Sequence, residues 1–106
     1  MIDNMPKAVA ALIAAQHNFD SEAYSNCFSQ TATVFDEGKN YIGRSEIKDW
    51  IAKANQQYKI VMEPLEYSES ERTLKAKITG HFPGSPIVLT YQYEFSNGLI
   101  QSLKIV

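Results

Sequence analysis

A chain of 106 residues, 44% apolar and 21% charged, has an ordinary globular composition and is long enough to bury one core without staples. Its net charge of -2 offers no basic footprint for nucleic acid, and its single cysteine, Cys27, excludes an internal disulfide and any Cys/His metal spacing. The longest apolar run, residues 8–15, is too short for a bilayer, and the N-terminal MIDNMPKAVA, with acid at Asp3, lacks a signal layout, so residues 1–106 are expected to form one cytoplasmic domain.

Pro6 suits the first position of a helix that should end near residues 17–19. Val9, Leu12, Ile13 and Gln16 recur at the spacing of one helical face, and Ala8, Ala11 and Ala15 add a stripe of small residues. Asp20 reads as the N-cap of a short second helix whose inward residues are Ala23, Tyr24, Cys27 and Phe28. A strand rich in β-branched residues is predicted over 31–35, and it delivers Asp36 at its end. Glu37-Gly38-Lys39-Asn40 is a turn by composition, and Tyr41-Ile42 a brief strand. Ser45 is placed as the N-cap of a third helix, with Ile47, Trp50, Ile51, Ala54 and Tyr58 on its apolar face.

After Gln57 the apolar period changes from helical to alternating. A strand is predicted over 59–68, with Pro64 marking a bulge or a sheet edge. The next, over 72–82, alternates Leu74, Ala76, Ile78 and Phe82 against Thr73, Lys75, Lys77, Thr79 and His81. A strand over 87–95 places Ile87, Leu89, Tyr91, Tyr93 and Phe95 on one face and Val88, Thr90, Gln92 and Glu94 on the other. Asn97-Gly98 is a hairpin signal leading to a last strand over 99–106, with Leu99, Leu103 and Ile105 on one side. Helices followed by an antiparallel meander make an α+β layout, and a twisted sheet wrapped around helices tends to leave a cavity at its open end.

The ordered set formed by the ATVFD strand end, the helix opening at residues 43–51 and the GHFPGSP, YQYEF and NGLI segments resembles the NTF2-like superfamily. It is most similar to the small SnoaL-like, polyketide cyclase-like bacterial domains. The resemblance covers nearly the whole chain. It implies an NTF2-like (cystatin-like) cone, with three N-terminal helices packed in a curved antiparallel sheet, and a homodimer joined through the outer sheet face. It also implies a small apolar molecule as partner. Members include ketosteroid isomerases, cyclases, dehydratases, epoxide hydrolases and non-catalytic binding domains. In ketosteroid isomerases a strand ending in Val-x-Asp supplies the base, and Asp36 of Val34-Phe35-Asp36 matches it. Their two oxyanion donors, a tyrosine on the first helix and an aspartate on the penultimate strand, fall at Leu12 and Tyr91. The chain thus keeps the acid and departs at both donor positions.

Two functions are open at this stage. In one, Asp36 is a base and Tyr91 a polariser in isomerase-, cyclase- or lyase-type chemistry on an apolar carbonyl compound, with no metal and no organic cofactor. In the other, the chain is a non-catalytic homodimeric module that binds a ligand or a protein, and Asp36 is a turn former. Tyr24, Phe28, Trp50, Met62 and Tyr93 are ligand-binding candidates, although such aromatic and Met side chains more often build the core, the reading favoured for Tyr93. His81 sits on a polar strand face, and His17 suits a helix C-terminus better than a base.

Overall fold

The computed structural model describes residues 5–106, so Asp3 and its neighbours lie outside the described residues. Pro6 opens α1 (Lys7–His17), whose Val9, Leu12, Ile13 and Gln16 are all buried. Ala8 and Ala15 are buried as well, whereas Ala11 faces solvent. The Asp20 carboxylate accepts the Ala23 N–H at 3.0 Å and starts α2 (Ser21–Ser25). Such a cap satisfies one of the donors that a helix start leaves open.

β1 (Phe28–Asp36) begins three residues before its predicted start and turns through Glu37-Gly38, both at positive φ, into β2 (Lys39–Ile42). Positive φ at both turn positions matches the twist of a tight hairpin. α3 (Gly43–Tyr58) then starts ahead of the predicted Ser45 cap. Gly43 adopts φ 85°, and the Ile42 N–H donates to Glu46 Oε1 at 2.9 Å, so Glu46 does the capping.

β3 (Val61–Ser68), β4 (Thr73–Thr79), β5 (Ile87–Ser96) and β6 (Leu99–Ile105) follow. The sheet has six strands in the order β2-β1-β6-β5-β4-β3. β3 is an edge strand and its register shifts between Pro64 and Glu66, so Pro64 sits at both an edge and a bulge. Asn97 and Gly98 close the β5–β6 hairpin at positive φ.

Three expectations need correction. Two helices, not three, precede the first strand; α3 follows β2. The sheet is mixed rather than antiparallel, because β1 pairs with β6 in parallel. No hairpin joins those two strands, so no turn dictates their direction. Finally, Ile100 rather than Leu99 is fully buried on β6. The β5–β6 register shifts around Gln101, and this extra residue turns both Ile100 and Leu103 inward. Gln101 in turn fills the irregular stretch of β1: it accepts from Ser29 Oγ at 2.6 Å and donates to the Thr31 carbonyl at 3.4 Å.

The inward residues of helices and sheet form one cluster, with Val9, Leu12, Phe28, Val34, Ile47, Leu74, Ile100 and Leu103 at its centre. Among the described residues no helix is long and apolar enough to cross a membrane.

Candidate functional site

A cavity of about 1070 Å³ opens between α3, the inner sheet face and the β4–β5 turn. Tyr24, Asp36, Trp50, Met62 and Tyr91 all line it. Phe28 and Tyr93, the other two ligand-binding candidates, are not among the lining residues and lie in the core. Phe28 packs 5.9 Å from the Tyr24 ring and Tyr93 stacks 6.5 Å from Tyr91, so each backs a residue of the wall.

β6 brings the acid and the tyrosine together. Phe35 of β1 pairs with Lys104 on one side of β6, and Tyr91 of β5 pairs with Ile105 on the other. Asp36 and Tyr91 therefore flank the end of β6 two strand spacings apart, about 10 Å between backbones. Their side chains reach the cavity on either side of Ile105, which also lines it.

Asp36 is half-buried, and its carboxyl is held above the usual carboxylate range. The largest cause is desolvation, since burial penalises the charged form; repulsion from Glu37 adds to it. The N–H of the neighbouring Trp50 side chain favours the charged form and pulls the other way. The Tyr91 hydroxyl is pushed far up, first by burial and then by the charge of Asp36, so it remains a protonated donor. Tyr24 is raised well above its ordinary value by burial, with further contributions from Tyr91, Tyr93, Cys27 and Asp36. Tyr24, Tyr91 and Asp36 thus share one electrostatic neighbourhood.

Trp50 is the joint of the aromatic wall. Tyr41 stacks on it at 5.4 Å, and Tyr24 meets it edge-on at 6.2 Å. At the mouth, Phe82 packs edge-to-face on Tyr58 at 6.1 Å. The sequence places Phe82 on a strand; β4 ends at Thr79, which frees Phe82 to turn onto α3.

Sequence reasoning missed Gln16 as a wall residue, having read it only as part of an apolar helix face. It lines the cavity although only 2% exposed. Its Nε2 donates to Asn55 Oδ1 at 2.7 Å and to the Ile60 carbonyl at 2.8 Å. The signal was a carboxamide in register with Val9, Leu12 and Ile13, since a buried polar side chain must have partners. Tyr41 and Leu89 also line the cavity.

His81 is exposed, and His17 Nε2 lies 3.0 Å from the Met62 carbonyl, a tie between α1 and β3. Cys27 is buried, and its thiol is pushed up by desolvation. Among the described residues no group of three His, Cys, Asp or Glu is placed to hold a metal ion.

The fold is shared with many solved structures. A Sinorhizobium meliloti protein described as a "putative polyketide cyclase" is 34% identical and superposes with a TM-score of 0.90, over 97% of this chain and 96% of that one. A Catenulispora acidiphila protein with a ketosteroid isomerase-like fold, solved with trimethylamine, is 21% identical with a TM-score of 0.83, over 97% and 86% of the two chains. A Novosphingobium aromaticivorans cystatin-fold protein is 16% identical with a TM-score of 0.79, over 94% and 95%. The latter two speak for the fold alone. No family model and no curated protein matches the chain.

Proposed function

Because this chain belongs to the NTF2-like superfamily, among its SnoaL-like, polyketide cyclase-like members, we propose that its cavity binds a small apolar carbonyl compound and that Asp36 moves a proton on the carbon beside the carbonyl. The observation that carries this reading is the placement of Asp36: a half-buried carboxyl with raised proton affinity on the wall of an aromatic cavity that a protonated tyrosine also lines.

The chemistry follows from those groups. The Asp36 carboxylate takes the proton; the C–H electron pair forms a C=C bond and the carbonyl π pair moves onto the oxygen, giving an enolate and a neutral carboxylic acid. The Tyr91 hydroxyl donates a hydrogen bond to that oxygen as its charge grows, the kind of stabilisation that usually contributes most to such reactions. Returning the proton to a different carbon completes an isomerisation. Attack of the enolate carbon on an electrophile in the same molecule closes a ring. A base works best with proton affinity near the working pH, and desolvation moves Asp36 in that direction. The neighbouring Trp50 side chain pulls the opposite way, towards the ionised base.

The test is exchange of the α-hydrogens of 2-tetralone with deuterium from solvent, followed by NMR. The protein should accelerate it over buffer; Asp36→Asn should lower the rate by about 100-fold or more, and Tyr91→Phe by about 10- to 100-fold. A wild-type rate equal to that of buffer rejects the reading.

A second reading, a non-catalytic homodimeric module, draws support from the outer sheet face. Val61 and Val88 are exposed there, paired with Thr79 and Lys77.

A further inference from the structure

The cavity holds two polar stations, and both are tied to the same helix. Trp50 stands beside Asp36, and Gln16 is bonded to Asn55. Trp50 and Asn55 both belong to α3, five positions apart. At 1.5 Å per residue the two helix positions that border the stations are offset by about 7.5 Å along the axis. Between them the wall is apolar, with Ile51, Ala54, Met62 and Ile78.

The chemistry of the Gln16 station is fixed by its partners. The Ile60 carbonyl can only accept, so the Gln16 amino group must face it, and the opposite orientation of the carboxamide is excluded. Its two N–H groups are spent on the Ile60 carbonyl and Asn55 Oδ1. What remains is Oε1, whose partner among the described residues is Asn55 Nδ2, at a long 3.5 Å. This buried side chain, with both donors used and its acceptor holding one long bond, forms part of the cavity wall.

We infer that the cavity is built for a two-ended ligand: a carbonyl at the Asp36–Tyr91 end and a hydroxyl or N–H donor at the Gln16 end, joined by an apolar body the length of a fused bicyclic skeleton. The carbonyl end rests on the proton-transfer reading; the donor end rests on Gln16 alone. A ligand that brings a second acceptor to Gln16 meets an oxygen with nothing to donate. The site therefore discriminates by hydrogen-bond polarity and not by size alone.

The experiment compares three probes by calorimetry on the folded protein: 2-tetralone, 6-hydroxy-2-tetralone and 6-methoxy-2-tetralone. The hydroxy compound should bind about 10-fold tighter or better than the parent, and the methoxy compound no tighter than the parent. Gln16→Met, of similar length, should bring the hydroxy and parent compounds to within about 3-fold of each other. In Asp36→Asn the hydroxyl preference should persist, which separates docking at Gln16 from docking on the carboxylate. Equal affinities for the three probes in the wild type, absence of binding, or a preference that persists in Gln16→Met overturns the inference. The wild-type comparison decides even if Gln16→Met fails to fold. Deuterium exchange on the same samples separates the two claims: preference without exchange keeps the donor station and rejects proton transfer, while exchange without preference does the reverse.

Discussion

Asp36 carries a charge into a place half closed to water, and this ties stability to pH. Its proton affinity is higher in the folded chain than in the unfolded one. Between the two values the folded state binds more protons, so its contribution to stability is fullest below the unfolded-state value and declines as pH rises through the folded one. Asp36→Asn should therefore raise the melting temperature at pH 7, by no more than about 4 °C because the group is half exposed and screened. The gain should vanish at pH 3, where both carboxyls are neutral. The same raised affinity predicts an acid limb of the exchange rate lying above the range of an ordinary carboxylate. Tyr93 presents the opposite case. It is 3% exposed, and its hydroxyl has no hydrogen-bond partner among the described residues. A buried unpaired hydroxyl costs about 1–3 kcal/mol, so Tyr93→Phe should be neutral or stabilise by about 1 kcal/mol, read from urea midpoints.

Among the glycines, Gly80 in the β4–β5 turn has the least room. A Cβ on Gly80 would lie 2.8 Å from the Tyr58 carbonyl and 3.0 Å from the Phe82 ring. The next residue, His81, donates its N–H to that same carbonyl at 2.7 Å. Gly80→Ala should cost about 1–3 kcal/mol and displace Phe82 from the cavity mouth, measurable as a lower melting temperature together with altered probe affinity. Much at this scale was legible in the sequence. The Asp20 cap, the Pro64 irregularity and the Asn97-Gly98 turn are local signals with local causes. The alternation of β4 was equally plain, because hairpins on both sides hold its register. The start of α3 and the inward turn of Ile100 were not legible. The first depends on Glu46 reaching back to Ile42 and the second on the extra residue at Gln101, both set by tertiary partners. For the cavity, strand alternation turned Tyr91 inward and helix spacing turned Trp50 inward. The same rules could not tell wall from core, which is why Phe28 and Tyr93 were grouped with the lining residues. That distinction depends on what lies behind each ring. Gln16 was hidden by the opposite error, a polar group counted as filler on an apolar stripe.

At the scale of the whole molecule, two surfaces contrast. The inner face is closed by helices into one core, while the outer face carries Val61 and Val88 in the open and covers Phe35 with the Lys104 ammonium at 5.6 Å. On the homodimer reading, sedimentation should show a concentration-dependent dimer, and Val88→Lys should shift it towards monomer while changing monomer stability by about 0.5 kcal/mol or less. A monomer at all concentrations would remove that reading. The parallel pairing of β1 with β6 has a consequence for synthesis. A ribosome releases Asp36 well before Tyr91, and until β6 emerges the long side of β1 has no strand beside it. The acid then waits next to an open strand edge, whose unpaired backbone groups chaperones and stray strands can seize. Asp36 and Tyr91 come onto one wall, on either side of Ile105, only once β6 has paired with both β1 and β5.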